Sequence, residues 1–328
     1  MELLFSFQEW SYKETFKISR SANANSALFV AYIKDGDLVG RGECGLLPQY
    51  GQTQQDAEEG FILAQTLIHQ GLSREELPLK IVNPSVRNAI DCALWDLECK
   101  RSGQDIWTLT GLPKATSIEV DLTISVNPVD KMCADAVIAV ANGYRILKLK
   151  ADKNDVVAKV AAIASAVPGI EFIIDANEAW DLKTLHDSCD QLHTLGVKLI
   201  EQPLHHQSDD DLIDYRGPIP LCADESCGSI GDLDRLASLY QSINIKLDKV
   251  GGLTPGLELA RAARRANMKI MLGCGGPTSL GAAPAYVLAT LCDYVDLDGP
   301  ALMLDDRAHA MIYKDGQLRC FGPALWGG

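Results

Sequence analysis

The sequence predicts an α/β protein. The expected fold is a closed (β/α) barrel, preceded by an α+β segment and followed by a C-terminal hairpin that packs back on that segment. Three observations predict it. From about residue 118, eight short apolar runs alternate with longer helix-like stretches. Polar residues fall at the ends of nearly all of these strands. The segments before and after this alternation instead carry β-rich runs broken by Asp-Gly turns.

The elements follow in order. "ALFVAYI" (27–33) and "LVGRGEC" (38–44) flank "KDGD", a hairpin signal. The stretch "SRSANANSA" (19–27) reads as a loop. "TQQDAEEGFILAQTLIHQG" (53–71) reads as a helix ended by glycine, and "PSVRNAIDCALWDLECKRSG" (84–103) as a second, opened by Pro84 and closed by Gly103. Its apolar stripe is Val86, Ile90, Ala93, Leu94 and Leu97. The capping domain is thus expected over 1–115, the barrel over 116–300, and a segment packing back on the cap over 301–328.

The barrel runs are IEVDLTI (118–124), YRILKLK (144–150), EFIIDAN (171–177), VKLIEQP (197–203), IPLCADES (219–226), INIKLDK (243–249), MKIMLGC (268–274) and DYVDLDG (293–299). Helix-like segments such as VDKMCADAVIAVANG lie between them, which implies parallel strands joined by crossovers. An open doubly wound sheet is the alternative, but no Gly-rich fingerprint follows the first strand. "HAMIYKDGQLRCF" (309–321) repeats the hairpin style of the N-terminal part.

Composition removes several function classes. The net charge of −14 leaves no basic stripe for nucleic acid. No apolar run is long enough for a membrane span. The ten cysteines are scattered singly and several sit in apolar runs, as free thiols of a cytoplasmic protein would. The N-terminal residues include Glu2 and Glu9 and no basic stretch, so no secretory signal is expected. Homo-oligomerisation is compatible with the sequence but not fixed by it.

The polar strand ends recur roughly every 25 residues, about one βα unit. Lys150 ends the second run, Asp175 the third, Glu201 the fourth and Asp224 the fifth. Lys246 falls at the sixth, and Asp296 with Asp298 at the eighth. In a barrel these ends converge on one mouth. Three carboxylates from adjacent strands would repel in such a site unless a cation joined them, and an oxygen-only set favours Mg²⁺, one per subunit. Single acids here could equally be helix N-caps, but that reading leaves the flanking lysines unexplained. Asn177, two residues past Asp175, shares its face and could support the site. Lys148 and Lys150 also share a face. Edge lysines that discourage aggregation are the plain explanation for them. The chemical one sets Lys150 and Lys246 on opposite sides of a substrate α-carbon, one removing a proton and the other returning one. Lys148 and the cation would then lower the base's pKa, and the metal would stabilise an enediolate.

These motifs resemble the enolase superfamily, muconate-lactonizing-enzyme subgroup. The resemblance rests on "KLK" (148–150), "DANEAW" (175–180), "EQP" (201–203), "ADES" (223–226) and "NIKLDKVGGLT" (244–254), and covers nearly the whole chain; it implies an α/β fold, a modified (β/α)7β TIM-like barrel with an α+β capping domain built from the N-terminal region and the C-terminal tail. Within the subgroup the sequence is most similar to dipeptide epimerases. That resemblance implies Mg²⁺-dependent inversion of the C-terminal residue of an L,L-dipeptide, by default L-Ala-L/D-Glu from peptidoglycan turnover. It assigns Asp296 and Asp298 to the dipeptide's ammonium, places Thr123, Arg20 and Tyr50 at the substrate, and Glu225 and Lys249 behind the metal ligands. Two departures stand out. "GCGGPTS" (273–279) replaces a Met- and Glu/Ser-bearing stretch, which suggests more room beside the substrate. The cap stretches 19–26 and 44–53 offer only Arg20 for a distal carboxylate. The alternatives are o-succinylbenzoate synthase, N-acylamino acid racemase or cycloisomerase activity on the same residues, a metal-free Schiff-base aldolase, and a barrel that only binds dipeptide.

Overall fold

The computed structural model describes residues 1–328. Three antiparallel strands open it: β1 (Glu2–Ile18), β2 (Ser21–Asp35) and β3 (Leu38–Gly45). The stretch 19–27, expected as a loop, is mostly the first half of β2, paired with β1 from Ile18–Ser21 outward. Its alanines and serines are weak strand formers, so the pairing with the long β1 decides. Helices α1 (Gln54–His69) and α2 (Pro84–Ser102) pack on this sheet. Helix α2 starts where sequence placed it: Asn83 accepts from Val86 N at 3.2 Å, Pro84 follows, and Gly103 ends it in the left-handed conformation. It is buried along nearly its full length because β3 approaches it very closely. A Cβ on Gly42 would stand 2.0 Å from the Ala89 carbonyl oxygen.

Eight parallel strands follow, in the order β12-β11-β10-β9-β8-β7-β6-β5. They are β5 (Leu122–Ile124), β6 (Ile146–Lys150), β7 (Glu171–Asp175), β8 (Val197–Glu201), β9 (Leu221–Ala223), β10 (Ser242–Ile245), β11 (Lys269–Leu272) and β12 (Tyr294–Val295). A backbone bond from Asp121 N to Val295 O, 3.1 Å, joins the two outer strands and curls the sheet onto itself. Inside, Ile173, Leu199, Cys222 and Met271 form a small buried layer. Asp175, Glu201 and Asp224 sit two positions after the first three of these, as the pleat requires.

The first apolar run is not one strand. It breaks at Val120 and Asp121 into β4 (Ser117–Glu119) and β5. Strand β4 pairs instead with the C-terminal hairpin, β13 (Tyr313–Lys314) and β14 (Gln317–Arg319). The last residues then lie against the cap: Trp326 Nε1 donates to Arg41 O and Cys92 O, and Gly327 N to Asp96. All ten cysteines are free. No helix is long and apolar enough to cross a membrane.

Candidate active site

The C-terminal ends of the barrel strands and the cap hairpin enclose a cavity of about 480 Å³. Lys150, Lys246, Asp224, Asp296 and Asp298 line it, with Arg20 and Thr123. A larger cavity of about 610 Å³ lies beyond the Leu47–Gln52 segment, lined by Leu63, Ile81 and Val82 among others. Of the strand-end residues it has none, so the chemistry belongs to the smaller one. Tyr50 lines the larger cavity, and its hydroxyl donates to Glu225 O at 3.3 Å.

Register builds the smaller site. Lys150 pairs with Asp175, and Asp175 with Glu201, across β6, β7 and β8. Lys150 Nζ lies 2.6 Å from Asp175 Oδ2. Lys246 Nζ lies 2.6 Å from Asp224 Oδ2, and Lys249 Nζ 2.5 Å from Asp224 Oδ1. Asn244 Nδ2 donates to Glu201 Oε1 at 2.7 Å. Asn177, in left-handed conformation, donates its amide to Asp175 Oδ1 at 2.9 Å and fixes that carboxylate.

Lys148 differs from the expectation. It is fully buried and bridges three acids: Glu201 at 2.6 Å, Asp296 at 2.7 Å and Asp175 at 3.1 Å. Burial opposes its charge, but Asp296, Glu201 and Asp175 hold the ammonium well above the usual lysine range. Lys246 is raised in the same way, by Asp224 and Glu201 against its burial. Lys148 and Lys246 are thus each held charged by carboxylates at hydrogen-bonding range. The acids answer in kind. Burial resists ionisation of Asp175 and Asp224, yet Lys150 with Lys148, and Lys246 with Lys249, hold them below the usual carboxylate range. Glu201 is pushed up to about 7 by burial and by Asp175.

Asp175, Glu201 and Asp224 present only carboxylate oxygens. Glu201 Oε2 is buried and receives no hydrogen bond, Lys148 Nζ lying close to it but off-axis. Such a donor set suits a hard cation. The tightest groups of possible ligands lie elsewhere: Asp121 with Asp296 and Asp298, and Glu178 with His205 and His206.

At the other end of the cavity, Asp298 Oδ2 accepts the Thr123 amide at 2.6 Å. Burial and Asp296 push the Asp298 carboxyl up to about 7. Arg20 reaches in from the β1–β2 turn, but its guanidinium is already shared among Glu225 (2.6 Å), Glu178 (3.0 Å) and Asn177 O (3.1 Å). The glycines of "GCGGPTS" do not simply leave room. A Cβ on Gly273 would stand 2.9 Å from Lys246 Cε, and one on Gly276 2.3 Å from the Tyr12 hydroxyl, so Tyr12 of β1 fills that space. Sequence reasoning missed Tyr12, Glu178 and Asp121. For Asp121 a signal existed, since it stands two positions before Thr123 on one face.

Residues 2–111 match the family described as mandelate racemase / muconate lactonizing enzyme, N-terminal domain. Residues 131–318 match the enolase C-terminal domain-like family. An N-acetyl-D-glutamate racemase from Pseudoalteromonas sp. is 46% identical over 74% of this chain and 76% of its own. The L-Ala-D/L-Glu epimerase of Escherichia coli is 35% identical over 95% of this chain and 98% of its own. Among solved structures, an enolase family member from Agrobacterium tumefaciens with homology to dipeptide epimerases, with bound sodium and L-Ala-L-Glu, superposes with TM-score 0.95 at 36% identity, covering 99% of both chains. A dipeptide epimerase from Methylococcus capsulatus complexed with Mg and L-Arg-D-Lys gives TM-score 0.90 at 25% identity, covering 99% of this chain and 98% of that one. The chain belongs to the enolase superfamily, in its mandelate racemase and muconate lactonizing enzyme group, and is an isomerase of the racemase and epimerase class.

Proposed function

We propose that the protein is a Mg²⁺-dependent dipeptide epimerase that inverts the α-carbon of the C-terminal residue, with L-Ala-L/D-Glu as the default substrate. The observation that carries this reading is the placement of Lys150 and Lys246 on β6 and just after β10, lining one cavity together with Asp296 and Asp298.

Asp175, Glu201 and Asp224 would hold the cation, with Asn177, Glu225, Asn244 and Lys249 fixing or flanking them. When bound, it supplies positive charge against the substrate carboxylate, where negative charge develops as the α-proton leaves. Lys150 and Lys246 do the proton work: the neutral amine on one side takes the α-proton, and the ammonium on the other gives one to the opposite face. Lys148, paired with Asp296, Glu201 and Asp175, stays charged and adds to the local positive field. Asp296 and Asp298 receive the dipeptide's α-ammonium, with Thr123 holding Asp298. Arg20, from the cap, borders the side-chain end, whereas Tyr50, expected at the substrate, lines the neighbouring cavity and reaches only the Glu225 backbone. A supply of such dipeptides from peptidoglycan turnover in the cytoplasm is part of the same proposal.

A second reading has a specific observation behind it: the 46% identical relative acts, by its name, on N-acetyl-D-glutamate. N-acetylglutamate is Ala-Glu without the ammonium, so the same lysines and cation would serve. The two readings separate at Asp296 and Asp298. The test is mass spectrometry of an L,L-dipeptide library and N-acetyl-L-glutamate, incubated with protein and Mg²⁺ in D₂O. Deuterium gain on dipeptides, abolished by EDTA, supports the first reading. Gain on N-acetylglutamate alone establishes the second, and no gain on either refutes both.

A further inference from the structure

Three carboxylates meet where the first and last barrel strands close. Asp121, Asp296 and Asp298 each bring an oxygen within 4.8 Å of the others. All are buried, at 2%, 4% and 4% exposure. Two of them have hydrogen-bond donors. Asp296 Oδ2 takes Lys148 Nζ at 2.7 Å, and Asp298 Oδ2 takes the Thr123 amide at 2.6 Å. Asp121 has none: both of its oxygens are buried and no protein group donates to either.

The charged and titratable groups facing Asp121 are Asp296 and Asp298 from the end of the barrel, Lys148 from β6, and the Tyr144 hydroxyl. The Lys148 charge is already divided among Asp175, Glu201 and Asp296. Three ionised carboxylates this close, sharing one ammonium already engaged elsewhere, strongly disfavour one another. The proton goes to the carboxylate whose ionised form has least support. A protonated carboxyl is a donor, and its neighbours are acceptors.

We propose that Asp121 is a neutral acid in the working enzyme, and that its hydroxyl donates to Asp296. It is thereby the positioning residue that sets how the Asp296–Asp298 pair faces the acyl end of the substrate. Asp121 itself is not among the residues that line the cavity. Burial and its two acidic neighbours push its carboxyl well above the usual range, in line with the geometry. The positioning role rests on the reading of Asp296 and Asp298 as the ammonium subsite; the proton on Asp121 does not.

The first test is infrared difference spectroscopy of the Mg²⁺-supplied protein, wild type minus Asp121→Asn, at about pH 8. A neutral-carboxyl carbonyl band that shifts in D₂O and is lost in the variant is the expected result. Its absence overturns the proposal. Carbon-13 spectra of aspartate-labelled wild-type protein answer the same question without a variant: one carboxyl keeps its neutral shift. The kinetic test compares Asp121→Asn, which keeps a neutral donor, with Asp121→Leu, which has none. On L-Ala-L-Glu, KM should stay within about threefold for Asn and rise about tenfold for Leu, with kcat little changed in both. An equal KM rise in both variants would mean that the site uses the charge of Asp121, which overturns the proposal. If the enzyme turns over N-acetylglutamate alone, the ammonium subsite fails, and the positioning role with it, while the infrared band still decides the proton.

Discussion

The two ends of the catalytic cavity hold negative charge on different terms. At the β7–β9 end, Asp175 and Asp224 each have a lysine of their own, and Lys148 stands against Glu201. At the closure between β5 and β12, three acids share one ammonium that is also engaged elsewhere. The first end is compensated from within the chain. The second is left short of positive charge.

The largest expected effect breaks the compensated end. Lys150→Ala and Lys246→Ala should each lower epimerisation by about 10²–10⁴-fold. Circular dichroism of both variants should match the parent. A smaller effect sharpens the other end. Asp298→Asn should lower kcat/KM for L-Ala-L-Glu by about 10–100-fold and for N-acetyl-L-glutamate by about threefold or less. Equal losses on both would remove the ammonium role.

Much of this contrast was legible in the sequence. The period-2 alternation of Lys148 and Lys150, and the recurrence of Asp175, Glu201 and Asp224 at one βα unit, place those groups on one mouth without coordinates. What could not be read were relations between distant segments. Lys148 meets Asp296 across 148 residues of chain. The run that holds Asp121 splits because β4 leaves it to pair with the C-terminal hairpin, a contact between segments about 200 residues apart. The stretch 21–26 looks like a loop by composition, and only its pairing with β1 makes it strand. The same hairpin delivers Tyr12 and Arg20 to the cavity.

That hairpin contact sets the next prediction. Gly276 has φ of 79°, and its missing Cβ gives way to Tyr12. Gly276→Ala should destabilise the fold by about 1–3 kcal/mol in denaturant titration. Adding Tyr12→Phe should restore the part due to the clash and leave the part due to φ.

The smallest effect concerns Asp248, buried beneath the cap with Asn88 Nδ2 at 2.7 Å. Burial pushes its carboxyl up to about 7. The folded state therefore binds this proton more tightly than the unfolded state does. The resulting stability is present below the unfolded value of about 4 and is lost as pH rises through about 7. Asp248→Asn should match the parent in urea at about pH 4 and be the more stable of the two at about pH 8. A pH-independent difference would contradict the buried-acid assignment.

The most direct test of the two-lysine arrangement is proton NMR in D₂O of L-Ala-L-Glu and L-Ala-D-Glu with the parent, Lys150→Ala and Lys246→Ala, each with Mg²⁺. The expected result is exchange and inversion of both epimers by the parent. Each variant should lose inversion and exchange one epimer only, opposite epimers for the two. Inversion that survives in either variant, or inversion without deuterium uptake, would contradict it.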